Sequence, residues 1–514
     1  MANVVAVPQS TVISNPISGD YRIDVLLAGY VHRWNGSSAP GTPVEVTYSF
    51  MTSAPAYTSH SNQVGFMMFT AEQKAAARKI FSDIQAQFNI SFREVGDTAA
   101  SYGQIRLGNN SQGSDSAAYA YLPEPDGGQD SGDVYVNRDY VSNLSRVVPG
   151  SYAYATLVHE IGHALGLKHP GNYDAGVGPG SEPGNFLSAA EDTEARTVMS
   201  YTPVLQGQSR SFYGTYDVLA LQYLYGARSH NAGDSIYSFN NASGQRLDIV
   251  NDSGGVDTID VSAVTGSTRI NLAEGAFSSI GKLANGITLA QDNVSIAYGA
   301  NIENAIGSVY ADQIVGNHGN NRITPGMGND VVDGGAGIDT AVFFASRSRA
   351  TISRDAGMVV VSDKAGVEGI DTLTNVERLQ FSDMNVAFDG NAAACYRLYH
   401  AAFDRKPDLP GLGHWIAQAD RGLGVEEIAW SFIGSMEFRL KYGDDLSDSD
   451  FITALYANVL HRVPDTDGFS HWSDTLARGA ISRHGMLAAF SESQENQLQL
   501  ADSIRNGIDY IFYA

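Results

Sequence analysis

Four nine-residue units run without a gap from Gly307 to Val342, starting at Gly307, Gly316, Pro325 and Gly334. A fixed period of nine, punctuated by glycine, is the pattern of a parallel β-roll, a coil of short strands and tight turns. The sixth residues of the units are Asp312, Asn321, Asp330 and Asp339, and the eighth are Ile314, Ile323, Val332 and Ala341. The eighth residue faces inward. Glycines allow turns whose carbonyls, together with the aspartates, suit a hard cation such as Ca2+. The last two units, with Gly326, Gly328, Asp330, Gly335, Gly337 and Asp339, fit best. Tyr310 and Asn321 depart from the pattern, so several Ca2+ ions are expected, but fewer than a long array would hold. The first two turns, including Asp312, are expected to be weak or empty.

The run His159-Glu160-Ile161-Gly162-His163-Ala164-Leu165-Gly166-Leu167-Lys168-His169 carries the chemistry. In a helix, His159 and His163 are four residues apart and project from one face, one turn above the other. Gly166 falls where the helix should stop, because glycine takes the left-handed conformation that reverses the chain. His169 then returns as a third ligand. Three neutral imidazoles leave one Zn2+ with an open position, where water is acidified toward neutrality. Glu160 points off the ligand face, takes the proton of that water and passes it to a leaving amine, general base and then general acid. Such a pattern implies hydrolysis of a peptide bond.

At these residues the sequence resembles the metzincin zinc endopeptidases, whose HExxHxxGxxH run is followed by a methionine turn. Thr197-Val198-Met199-Ser200-Tyr201 supplies that turn, with Met199 beneath the metal, and the tyrosine two residues on resembles the serralysin branch. The resemblance implies that Tyr201 is an extra zinc ligand that leaves when substrate binds and donates a hydrogen bond to the tetrahedral oxyanion. His169-Pro170-Gly171, the run from Tyr216 to Gly226 and Ile302-Glu303-Asn304-Ala305-Ile306-Gly307 also resemble serralysins. The second of these reads as the helix closing the catalytic domain. The likeness covers roughly residues 20–390. It implies calcium-binding nonapeptide (RTX-like) repeats that fold on meeting external calcium, and export by a type I secretion apparatus that reads a C-terminal signal.

At 514 residues the chain is too long for one core, and several domains are expected. Asp plus Glu number 56 against 32 Lys plus Arg, a net charge of -24, which argues against nucleic acid or an anionic membrane as partner. One cysteine, Cys395, excludes an intramolecular disulfide framework. Residues 1–19 read as a leader or short propeptide; they lack the basic and apolar regions of a secretory signal peptide. No stretch reaches transmembrane length.

Residues 20–239 read as a mixed α/β catalytic domain. Val44–Phe50 alternates like a strand, and Thr70-Ala71-Glu72-Gln73 resembles a capping box opening a helix through Phe88, with Phe81, Ile84 and Phe88 in the core. Ile105–Leu107 and Gly132–Asn137 read as strands. The second resembles the family's edge strand beside the cleft, to which a substrate peptide could add. The loop Gly171 to Glu194 is expected to shape the cleft. Residues 240–390 read as the calcium-binding roll.

Residues 391–514 read as an all-α repeat domain. Tyr399, Arg405, Pro407, Gly411 and Trp415 recur fifty-seven residues later as Tyr456, Arg462, Pro464, Gly468 and Trp472, and Ser435-Met436-Glu437-Phe438 recurs as Ser493-Gln494-Glu495-Asn496 with one residue of slippage. Core packing is favoured over a ligand platform for these aromatics. The region resembles a helical repeat module of exported bacterial proteins and would anchor the enzyme to a surface or partner. The tail Asp509-Tyr510-Ile511-Phe512-Tyr513-Ala514 resembles a secretion end, and a docked terminal strand is equally open.

The expected architecture is multidomain: an α+β metzincin catalytic domain, an all-β parallel roll, then an all-α repeat domain. The expected function is a secreted, extracellular bacterial zinc endopeptidase acting on proteins, stabilised by Ca2+. The competing reading is a calcium-loaded cell-surface or adhesion protein with a subordinate or inactive protease domain. Intact Glu160 and Tyr201 favour catalysis.

Overall fold

In the computed structural model the described residues are 18–28, 32–114, 116–124, 128–171, 173 and 186–512. The expected leader over residues 1–17, loop residues 172 and 174–185, and the last two residues of the tail lie outside them. The chain divides into two compact units, residues 1–309 and 310–514.

The first unit is built on a five-stranded sheet of β1 (Val44–Phe50), β2 (Ile90–Glu94), β3 (Ile105–Asn110), β4 (Ala118–Ala120) and β5 (Val134–Asn137), in the order β2-β1-β3-β5-β4. The pairings β1–β2, β1–β3 and β3–β5 are parallel. Parallel strands covered on both faces lose their alternation, and every residue of β3 and β5 is buried. The helix Ala71–Gln87 covers the sheet. Thr70 and Gln73 close its capping box as expected, and Phe81, Ile84 and Phe88 are buried, with Phe81 4.4 Å from the Tyr48 ring.

Val134–Asn137 is not the edge of the sheet. The antiparallel strand β4 lies outside it, with Ala118 opposite Val136 and Ala120 opposite Val134. Three residues are too few to show a strand period, which is why β4 is hidden in the sequence. Beyond the helices Tyr152–Ala164 and Thr215–Tyr225, parallel pairs already appear: Thr258 opposite Asn304, and Asp248 opposite Val294.

In the second unit each repeat contributes one three-residue strand. Ile314 lies opposite Val332 and Ile323 opposite Ala341, so strands eighteen residues apart stack in parallel and consecutive strands alternate between two sheets. Ile314, Ile323, Val332 and Ala341 are all buried inside, as the eighth position requires.

Eight helices follow between Gly390 and Ile504. The repeated residues make the same contacts in both copies. Arg405 pairs with Glu437 at 2.6 Å and Arg462 with Glu495 at 3.0 Å. Trp415 packs 5.2 Å from Phe432, and Trp472 packs 5.3 Å from Phe490. Asp408 and Asp465 each cap a helix by accepting the amide hydrogen of Gly411 and Gly468. These aromatics pack at the helical core. The tail forms a strand, Ile508–Tyr510, antiparallel to Asn385–Ala387, and its Ile508 and Tyr510 join that core.

Candidate metal centre

The helix Tyr152–Ala164 opens on Ser151, whose side chain accepts from the Tyr154 amide. It presents His159 and His163 one turn apart. Its last carbonyls would be orphaned in the interior, and two side chains satisfy them: the Trp34 indole donates to Ala164 O and the Tyr225 hydroxyl to Leu165 O, both at 2.8 Å. Gly166 then turns the chain with φ +102°, and a Cβ there would lie 1.9 Å from His32 O. No other residue fits. The turn brings His169 back so that its Nε2 lies 3.1 Å from Nε2 of both His159 and His163.

Three nitrogens on a tetrahedral zinc with bonds of about 2.0–2.1 Å stand about 3.3 Å apart, and the two separations from His169, each 3.1 Å, are close to that. The tautomers agree too. His159 Nδ1 donates to Val198 O and His163 Nδ1 to Leu167 O, each at 2.7 Å, leaving both Nε2 lone pairs for a metal. Burial holds His159 down to about 3 and His163 well below its usual value, so both are neutral. Among the described residues this is the group of three or more His, Cys, Asp or Glu side chains placed to hold a metal ion.

Glu160 follows His159 in the same helix and is buried; burial alone pushes its carboxyl up to about 8. Its Oε2 is buried without a hydrogen-bond partner among the described residues. Met199 is wholly buried with its sulfur against Gly162, which places it under the helix between the two histidines. The Tyr201 hydroxyl stands 2.9 Å from His169 Nε2. The structure therefore brings His159, His163, His169 and Tyr201 together at their ring and hydroxyl atoms, with Glu160 next to His159 in the helix and Met199 against Gly162.

One support had no motif of its own. Asp217, at the start of the helix Thr215–Tyr225, is fully buried and accepts from Thr197 Oγ1 (2.5 Å), Val198 N (2.7 Å) and Gly214 N (2.7 Å). It holds the segment whose Val198 carbonyl orients His159. It lies in the run from Tyr216 to Gly226 and is the one acid of its helix, but nothing in that run points to its partners.

The second candidate site is a ladder of carboxylates in the repeats. Asp330 Oδ1 accepts from Asp312 N at 2.8 Å, Asp371 Oδ1 from Asp330 N at 2.9 Å, Asp339 Oδ1 from Asn321 N at 2.7 Å, and Glu377 Oε2 from Asp339 N at 2.9 Å. Asp371 and Glu377 lie outside the nine-residue period, so the repeat does not reveal them. The second oxygens of Asp330 and Asp339 are buried without a partner among the described residues. Burial pushes Asp339 up to about 7 and raises Asp330 and Asp371 likewise. Stacked acids with orphaned oxygens fit a bound cation. Gly326, Gly328, Gly335 and Gly337 all have φ between +94° and +128°, the turn conformation the pattern demands. In the first unit, Asp257 repeats the arrangement: Oδ1 accepts from Ser235 N, its amide donates to Glu303, and Oδ2 is orphaned.

The triad is a site placed to hold one metal ion. Residues 44–213 match the metallo-peptidase family M12, residues 216–406 the peptidase M10 serralysin C terminal, and residues 429–500 a domain of unknown function, DUF4214. The chain is 36% identical over 305 residues to Metallopeptidase AprA of Pseudomonas marginalis, covering 54% of this chain and 61% of that protein. It is 35% identical to Serralysin A of Dickeya chrysanthemi (55% and 60%) and 36% identical to Serralysin of Proteus mirabilis (56% and 63%). The chain thus spans under two thirds of the length of these relatives. Its first part is thus similar to metallo-peptidases of family M12 and its middle part to the serralysin C terminal, with a region similar to DUF4214 beyond.

Proposed function

We propose that this protein is a secreted zinc endopeptidase that cleaves extracellular proteins, with Glu160 as general base. The observation that carries the reading is the convergence of His159, His163 and His169 at their Nε2 atoms, with buried Glu160 next to His159 in the same helix and its Oε2 without a partner among the described residues. Zinc at the triad supplies a Lewis acid that acidifies water and polarises a carbonyl. Glu160 takes the proton of the attacking water and delivers it to the departing nitrogen. Tyr201, 2.9 Å from His169 and 56% exposed, is a movable ligand that turns aside for substrate and donates to the developing oxyanion. The edge strand β4 offers unpaired backbone groups for an extended peptide.

Calcium is the proposed stabiliser of the roll. Asp330 and Asp339, with carbonyls of the turns at Gly326, Gly328, Gly335 and Gly337, would hold it, and Asp312 contributes a weaker site. Export through a type I apparatus and a surface partner for the helical region complete the reading. No described helix is long and apolar enough to cross a membrane.

The test is casein hydrolysis by the full chain in calcium and trace zinc beside Glu160→Ala, with metal content measured. Activity is expected to fall at least about 10²-fold while zinc is retained. Equal activity in both proteins would remove Glu160 from the mechanism. Inactivity of both, zinc-loaded and folded, would favour the surface-protein reading.

A further inference from the structure

The Tyr201 ring packs against three others: the His159 imidazole is 5.7 Å away and nearly parallel, at 18°, the Tyr173 ring is 5.0 Å away at 32°, and the His169 ring is 4.7 Å away at 55°. Tyr173 also stands 5.5 Å from the His169 ring. Close ring contacts of this kind oppose a tilt of Tyr201 away from the position in which its hydroxyl stands 2.9 Å from His169 Nε2.

Tyr173 is itself held at two points. Its hydroxyl donates to Asp192 Oδ1 at 2.8 Å. Its ring lies over the α-carbon of Gly171, where a Cβ would come within 1.9 Å of Tyr173 Cε1. Asp192 is anchored in turn, its amide donating to Ser188 O at 2.9 Å. An aromatic ring fixed at both hydroxyl and face is a rigid wall.

We propose that Tyr173, tied to Asp192, is a positioning residue whose ring braces Tyr201 as it moves on and off the metal. This rests on the reading of Tyr201 as a movable metal ligand. Tyr173 does not touch the reacting atoms; it biases Tyr201 toward the metal-bound position. Aromatic contacts of this kind are worth about two- to tenfold in an equilibrium constant. Substrate binding, which requires Tyr201 to leave, is opposed by the same factor.

The experiment replaces zinc with one equivalent of Cu(II) in the full, calcium-loaded chain and reads the phenolate-to-copper charge-transfer band, which reports tyrosine ligation and not histidine ligation. Tyr201→Phe is expected to abolish the band with copper still bound; a band that survives would remove the ligand reading itself. With that established, Tyr173→Ala is expected to lower the tyrosine-bound to free ratio about two- to tenfold at unchanged copper stoichiometry. Tyr173→Phe keeps the ring but loses the tie to Asp192, and serves where the alanine variant folds poorly; a smaller loss is expected. Bands of native intensity in both Tyr173 variants, with Tyr201→Phe silent, would overturn the proposal while leaving Tyr201 as a ligand.

Discussion

Replacing Asp217 by alanine should weaken both the first compact unit and zinc binding at the triad. The carboxylate is 0% exposed and accepts three hydrogen bonds, from Thr197 Oγ1, Val198 N and Gly214 N, at 2.5–2.7 Å. Each buried donor left without an acceptor costs about 1–3 kcal/mol. The charge is itself expensive to bury, since burial raises the Asp217 pKa, and deleting it recovers part of that cost. The net loss is therefore about 3–5 kcal/mol, a large share of a domain stability of about 5–15 kcal/mol. In urea, with a slope of about 2 kcal/mol per molar, the midpoint should fall by about 1.5–2.5 M. Zinc follows through geometry: Asp217 fixes Val198 N, and Val198 O fixes His159 Nδ1 at 2.7 Å. Loss of such an orienting partner weakens metal binding about 10–100-fold. Circular dichroism in urea with calcium saturating, and competition with a chromogenic zinc chelator, read the two effects. An unchanged midpoint with zinc affinity within threefold of native would refute the argument.

Gly166→Ala must place a Cβ 1.9 Å from His32 O at φ +102°, so zinc content after dialysis should drop well below one per chain. Chelating calcium should unfold the repeats, seen as loss of strand signal in circular dichroism, and Ile323→Ala, at 1% exposure, should raise the calcium concentration needed for folding through a packing loss of about 2–5 kcal/mol. Asp133 is wholly buried, and burial raises its pKa well above 3.8, although the Tyr57 and Tyr135 hydroxyls donate to it. Because the folded form keeps a proton that the unfolded chain releases, this group lowers stability as pH climbs above about 4, by up to about 1.4 kcal/mol per unit. Asp133→Asn should therefore stabilise more at pH 8 than at pH 4.5, and equal thermal shifts at the two values would contradict that sign.

Spacing alone determined much of this protein. Helical period four aligns His159 with His163, glycine permits the reversal at Gly166, and a period of nine dictates the inward row Ile314, Ile323, Val332 and Ala341. Likewise the fifty-seven-residue recurrence is matched by repeated contacts, Arg405–Glu437 with Arg462–Glu495 and Trp415–Phe432 with Trp472–Phe490. These features are local or periodic, so the chain displays them in one dimension. Only the tertiary structure decided which groups support them. Val198 O reaches His159 across 39 residues, Asp371 lies under Asp330 across 41, and Tyr173 meets Tyr201 across a loop. Such partners carry no period, and any carboxylate or carbonyl of suitable reach would look the same in sequence. The sheet edge was hidden for the related reason that β4 has three residues, and its place outside β5 is set by pairing rather than by its own composition.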